Sequence, residues 1–131
     1  MTKTIVQQVK FGVAPERLYD IYMDSKKHGA ATGSVAKVSK KVGSEFKAWD
    51  GYIAGKILAL FPKRAIVQTW RAADWKKTDS DSILTIGVDK APGGSLLTLV
   101  HAGVPDNQYE ALKEGWVISY WDPWKAYLGL K

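Results

Sequence analysis

Cysteine is absent from the 131 residues, and the only histidines are His28 and His101. The first absence excludes disulfide staples, thiolate zinc sites, iron–sulfur clusters and cysteine nucleophiles. The second leaves too few imidazoles for a protein-only transition-metal site, so neither a metal nor a cofactor is expected. Long apolar runs are missing as well. The longest, Ile57-Leu58-Ala59-Leu60-Phe61, is far short of the roughly 18–20 residues of a membrane span. Met1 to Lys10 alternates polar and apolar residues, with no apolar core of a signal peptide. The expected location is therefore cytoplasmic, without membrane insertion. No G-x-S-x-G elbow, P-loop, G-x-G-x-x-G or H-E-x-x-H occurs, which removes the common nucleophile, phosphate-loop, dinucleotide and zinc-protease signatures.

What is present is ordinary in bulk: 24 % charged and 46 % apolar residues, the profile of one globular domain over residues 1–131. The net charge of +6 is unevenly spread. Residues 1–65 carry 12 basic and 5 acidic side chains, residues 66–131 carry 7 and 8. The excess lies in scattered lysines (Lys26, Lys27, Lys37, Lys40, Lys41, Lys47), and only Arg17, Arg64 and Arg71 are arginines. Phosphate and base-edge readout favours arginine. The pattern therefore reads as a solvated lysine-rich surface, and nucleic acid is not the expected partner.

Apolar periodicity divides the chain. Ile5 to Phe11 alternates and predicts a first strand. Ala14-Pro15-Glu16 predicts a helix start, with proline at the first helical position and an acid in the first turn. Leu18, Ile21 and Tyr22 give that helix an apolar stripe, and Asp24 to Gly33 predicts a second short helical piece. From Val35 to Pro105 the period is two. It predicts strands at Ala36–Ser39, Glu45–Trp49, Tyr52–Phe61, Ala65–Arg71, Ser82–Asp89 and Ser95–Ala102, with Asp50-Gly51 as a hairpin turn. The connections are too short for helical crossovers, so the sheet is expected to be an antiparallel meander. After Pro105 the period returns to 3.6. Asp106 or Asn107 is the expected cap, with Glu110 completing a capping box on Asn107. A helix about 30 Å long then runs to Leu128, stopped by Gly129 and bent near Ser119 to Pro123 by the proline.

This order and these residues resemble the START-like, Bet v 1-like superfamily and its helix-grip fold. Within it the chain is similar to the branch of activators of the heat-shock-protein-90 ATPase. The resemblance rests on Val13-Ala14-Pro15-Glu16-Arg17-Leu18-Tyr19, Asp50-Gly51-Tyr52-Ile53-Ala54-Gly55 and Ile66-Val67-Gln68-Thr69-Trp70-Arg71. It rests further on Leu97 through Pro105, which spells LTLVHAGVP, and on Glu114-Gly115-Trp116. It implies an α+β domain whose antiparallel sheet of about seven strands wraps a long C-terminal helix, with two short helices after the first strand. It also implies a lidded cavity between sheet and helix that commonly holds an apolar small molecule. Co-chaperone members of the branch carry an additional N-terminal domain, whereas this chain begins at the first strand, so chaperone contact is the second expectation.

The residues nominate the walls. Trp116, Tyr120, Trp124 and Tyr127 fall on one face of the last helix, extended by Leu112 and flanked by Trp121 and Leu128. They form either the core under the helix or, for Trp116 and Tyr120, part of a pocket wall. Alternation puts Ile66, Gln68 and Trp70 on one sheet face, with Leu84, Ile86 and Val88, and Leu97, Leu99 and His101, on the matching faces. The expected binding residues are therefore Gln68, Trp70, Ile86, Leu99, His101, Trp116 and Tyr120, around an apolar or aromatic small molecule that is bound without catalysis. Gln68 and His101 either bond neighbouring protein groups or orient the ligand. Two other readings stay open: a stress-response or co-chaperone interaction module, and a small cyclase or hydrolase with His101 as base. If Trp121 or Trp124 fills the interior, no wide cavity remains.

The remaining polar residues read as structural. Asp50 is a turn residue, and Asp74 is placed to pair with Arg71 or Lys76. Arg71 points to the solvent face and His28 sits beside lysines on the surface. Ile57 and Ala59 alternate with Leu58 and Leu60, making one strand apolar on both sides. Either short helices cover the back of the sheet there, the expected case, or that face is a homodimer interface.

Overall fold

The computed structural model describes residues 1–130. Strand β1 (Thr2–Phe11) leads into helix α1 (Pro15–Met23), where Pro15 occupies the first turn and Leu18, Tyr19, Ile21, Tyr22 and Met23 are buried. Asp24, in extended conformation, ends α1 and caps α2 (Ser25–Thr32) by accepting the Lys27 backbone N–H at 2.9 Å. That hydrogen bond, together with the Lys27 charge, holds the Asp24 carboxyl below its ordinary range. Five strands follow: β2 (Glu45–Ala48), β3 (Ile53–Phe61), β4 (Ala65–Ala72), β5 (Ser82–Ala91) and β6 (Gly94–Pro105).

The sheet has six strands in the order β1-β6-β5-β4-β3-β2, antiparallel throughout, rather than about seven. The strand expected at Ala36–Ser39 contracts to a single bridge between Lys37 and Lys47. Its neighbour Val38 is captured instead by Ser25, whose hydroxyl accepts the Val38 N–H at 2.9 Å and donates to the Val38 carbonyl at 3.1 Å. With both backbone groups satisfied by one side chain, no ladder forms there.

All helices lie on one face of the sheet: α1 rests on β5 and β6, and α2 meets the C-terminal helix. The back is therefore uncovered, which corrects the expectation of helices behind it. Val6, Leu58 and Ile83 stand exposed on that side. A β-bulge between Ile57 and Ala59 resolves the doubly apolar strand. The extra residue resets the alternation, so Ile57 and Leu60 pack inward while Leu58 is 43 % exposed.

The C-terminal helix is a composite. A 3₁₀ turn (Asp106–Gln108) precedes α3 (Tyr109–Trp116), a π-helical turn (Val117–Trp121) and α4 (Asp122–Tyr127). The expected cap on Asp106 or Asn107 is not made; Gln108 stands at the N-cap without a side-chain bond. The Asp106 N–H is already given to the Met1 carbonyl at 3.2 Å, which ties this corner to the sheet edge. The expected bend takes the form of the π-turn. Pro123 has no N–H to return to Ser119, and the backbone widens until Asp122 N–H reaches the Val117 carbonyl. Gly129, at φ 73°, closes the helix: its N–H bonds the Ala126 carbonyl and the Leu130 N–H bonds that of Lys125.

Candidate functional site

The π-turn decides what lies under the helix. One extra residue advances the phase, so Trp116, Tyr120, Trp121 and Trp124 all turn inward and Tyr127 is left 44 % exposed. The expected stripe placed Tyr127 inside and Trp121 on its flank; the structure exchanges them. Trp121 stacks on Trp116 (5.6 Å between centroids, 18° between planes) and meets Trp124 edge-on at 5.3 Å. Phe11 packs against both Trp121 and Trp124, and Tyr22 stacks on Phe46 at 5.3 Å. These rings fill most of the space between sheet and helix.

A cavity of about 150 Å³ remains at the other end, toward the β2–β3 hairpin. The hairpin supplies Trp49, Tyr52 and Ile53, β4 supplies Trp70, and the helix supplies Leu112, Gly115, Trp116, Ser119 and Tyr120. Among the described residues no charged side chain lines it. The hairpin holds this shape because Trp49, Asp50 and Gly51 all adopt positive φ, which turns the chain sharply at the predicted Asp50-Gly51. Tyr52 is anchored there by donating its hydroxyl to Asp74 at 2.7 Å, so Asp74 serves the hairpin rather than Arg71 or Lys76. Arg71 is half-buried rather than free in solvent. Its guanidinium donates to the carbonyls of Lys76 and Asp79, pairs with Asp81 at 3.4 Å and lies over the Trp75 ring. It thereby fixes the loop behind Trp70.

Gly115 has no conformational reason to be glycine. Its φ is not positive, and a Cβ built on it would meet nothing within 4 Å. A mid-helix glycine costs about 1 kcal/mol relative to alanine. What the missing side chain does here is keep the helix side of the cavity open.

Two buried histidines hold the cavity's inner wall. His101 accepts the Trp116 indole N–H on Nδ1 at 3.2 Å, and its Nε2 lies 2.8 Å from the Ser82 hydroxyl. Ser82 already donates to the Trp70 carbonyl at 2.6 Å, so Nε2 must carry the imidazole proton and give it to Ser82. Burial pushes the His101 pKa down to about 3. Both ring nitrogens are committed within the protein, which leaves no lone pair for a substrate. His28 shows the opposite tautomer. Nδ1 faces the Tyr22 carbonyl at 2.9 Å and donates to it, so Nε2 accepts from the Tyr120 hydroxyl at 3.2 Å. Its pKa is lowered by burial, partly offset by the Tyr22 carbonyl. His28 is fully buried, which corrects the surface reading. Burial likewise raises Tyr22 and Tyr120 far above the ordinary phenol range.

Of the residues expected to form the site, Trp70, Trp116 and Tyr120 reach the cavity. Gln68, Ile86, Leu99 and His101 are buried elsewhere in the core. Gln68 accepts the Tyr22 hydroxyl proton at 2.5 Å and donates to the Thr69 carbonyl at 3.1 Å, so it braces α1. The residues not anticipated as walls were Trp49, Tyr52, Ile53, Leu112, Gly115 and Ser119. The helical ones had a signal: Leu112, Gly115, Trp116, Ser119 and Tyr120 follow the i, i+3, i+4, i+7, i+8 spacing of one face. Among the described residues no group of three His, Asp or Glu side chains is placed to hold a metal ion, and no helix is long and apolar enough to cross a membrane.

Comparison with known proteins places this geometry in context. A family model described as "Activator of Hsp90 ATPase homolog 1-like protein" matches residues 13–129. An activator of 90 kDa heat shock protein ATPase homolog from Dictyostelium discoideum is 33 % identical over 88 % of this chain and 30 % of the relative. The chain spans about a third of the length of the curated relatives it matches. The crystal structure of an HSP90 activator from Plasmodium falciparum superposes with a TM-score of 0.83 at 27 % identity, covering 100 % of this chain and 98 % of that one. The solution structure of the Aha1 dimer from Colwellia psychrerythraea shares the fold at a TM-score of 0.80 and 12 % identity, over 95 % of each chain.

Proposed function

The chain belongs to the family of Activator of Hsp90 ATPase homolog 1-like proteins, and within that family we propose that it binds a small uncharged aromatic molecule, without catalysis, in the cavity between the β2–β3 hairpin and the C-terminal helix. One observation carries this reading: a cavity of about 150 Å³, walled by aromatic and aliphatic side chains and free of charge, persists in a core otherwise filled with tryptophan. An apolar void of that size accommodates a benzene-sized ring. The larger depression beside α2, about 650 Å³ and lined by Ser25, Lys26, Gly29 and their neighbours, is open to solvent and has no aromatic wall. Catalysis is left out because both histidines behind the cavity wall have both ring nitrogens engaged. Cytoplasmic location accords with this reading, which requires neither nucleic acid nor membrane.

Native mass spectrometry of the purified protein, followed by denaturing release, tests the proposal. The expected result is a non-covalent adduct with the mass of a single-ring compound, or uptake of benzene or toluene when these are supplied. Protein that remains bare under saturating benzene overturns it.

Chaperone contact is the second reading, favoured by the name of the Dictyostelium discoideum relative and by the near-complete overlap with the Plasmodium falciparum structure. Its test is ATP turnover by purified Hsp90 with and without this protein. Unchanged turnover together with separate elution removes it. The same native spectrum reads oligomeric state, and a dimer would find apolar surface in Val6, Leu58 and Ile83 on the uncovered sheet face.

A further inference from the structure

Two residues on the cavity wall go against their local backbone, in opposite senses. Gly115 is a glycine at a helical position that alanine would serve better. Trp49 is the reverse. Its φ of 54° lies in the left-handed region, where glycine sits without strain and a bulky residue does not. Asp50 and Gly51, the next two residues of the turn, share that conformation and are ordinary residue types for it. The turn is also fastened on both sides. The Asp50 N–H bonds the Val35 carbonyl at 2.9 Å, the Ala73 N–H bonds the Tyr52 carbonyl at 2.8 Å, and the Tyr52 hydroxyl bonds Asp74. The floor of the cavity, Ile53, Trp70, Trp116 and Tyr120, is buried. Trp49 is half-buried on the rim above it, the largest side chain there, and meets Tyr120 edge-on at 6.0 Å. Departures from local preference gather where a site requires them. Here the strained placement does one thing that glycine at the same φ could not: it sets an indole ring against the end of the cavity.

We infer that Trp49 is the size-determining residue of the cavity: its ring, held by the fastened turn, closes the hairpin end and limits the occupant to a single ring. This rests on the small-molecule reading above. Truncation of Trp49 joins the space of the indole to the existing 150 Å³ and makes room for a second fused ring.

The test is a ¹⁵N NMR titration of the full chain, unaltered and as Trp49→Gly and Trp49→Ala, with benzene and naphthalene. Benzene is expected to shift the Trp49 indole cross-peak, which its loss in Trp49→Gly identifies. In both variants the affinity for naphthalene relative to benzene is expected to rise by about tenfold or more, the scale on which an apolar pocket discriminates size. An unchanged ratio, or a Trp49 peak that stays in place as benzene binds, overturns the inference and leaves the small-molecule reading standing. Failure of the unaltered protein to bind benzene overturns both. The two variants also separate ring from backbone. Both lack the indole, but only alanine keeps a Cβ at positive φ, so Trp49→Gly is expected to unfold at the higher urea concentration. Equal midpoints, or a higher one for Trp49→Ala, overturn the strained placement and the inference with it. Trp49→Asn, a residue that tolerates the left-handed region, repeats the titration where the alanine variant does not fold.

Discussion

The two ends of the core are built from the same residue types and reach opposite outcomes. At one end Phe11 packs on Trp121 and Trp124, which meet edge to face, and Tyr22 stacks on Phe46. At the other, Trp70, Trp116 and Tyr120 stand around an unfilled 150 Å³. Composition does not separate these ends, and the presence of a hydrogen bond does not either, since Trp121 donates to Gln7 and Tyr22 to Gln68 at the closed end; what differs is what the tethered rings face. The open-end residues are held from behind, Trp116 by His101 and Tyr120 by His28, so they cannot collapse into the void as an untethered side chain would. At the open end the tethered rings border a void, whereas at the closed end the tethered rings of Trp121 and Tyr22 pack against Trp124 and Phe46.

The largest break in this contrast comes from truncating one tryptophan at each end. Trp124→Ala deletes a fully buried ring from close packing and is expected to cost about 3–5 kcal/mol in urea unfolding. Trp116→Ala already borders a void on one side, and is expected to fall at or below the low end of that range while abolishing uptake of benzene. A larger stability loss for Trp116→Ala than for Trp124→Ala would contradict the comparison.

Acid probes the tethers. An unfolded chain protonates His101 near pH 6.5, whereas the folded chain resists until about pH 3. The unfolded state therefore binds more protons across that window, and stability falls as the pH drops through it, by up to about 1.4 kcal/mol per unit. His28, lowered for the same reason, adds a slope of the same sign. His101→Asn is expected to flatten the curve of urea midpoint against pH between 6 and 4, and an unaltered slope would remove His101 as a source. Tyr120→Phe cuts a single tether, leaving His28 Nε2 without its donor. The expected cost is about 1–3 kcal/mol, with the cavity reduced as the ring relaxes, which weakened benzene uptake would report. The smallest effect is a gain: Gly115→Ala is expected to stabilise by about 0.5–1 kcal/mol, since no atom lies near the new methyl group.

The meander was legible wherever one face is buried, because alternation is then enforced residue by residue; β4, β5 and β6 agree with it to within a few residues at their ends. Pro123 announced the bend. Its consequence for Trp121 and Tyr127 was not legible, because a 3.6-residue period carried across a π-turn runs one residue out of phase, which moves those two across the edge of the buried face while Trp124 stays within it. The bulge in β3 hid Leu58 in the same way. His28 was unreadable for another reason. The eight residues of α2 contain no apolar stripe, so nothing in their pattern says which way the imidazole faces, and its partners Tyr22 and Tyr120 lie 6 and 92 positions away.

The π-turn also makes the helix a place where evolution can edit volume in a single step. Loss of Tyr120 would leave Trp121 four residues after Trp116, an ordinary helical spacing, so Trp121 and Trp124 would keep facing inward and one ring would leave the wall. Such a deletion would remove one large ring from beneath the helix, and so recast the size and outline of the chamber without altering a strand. Relatives of one architecture can then diverge in what they hold through a change of length rather than a change of sheet.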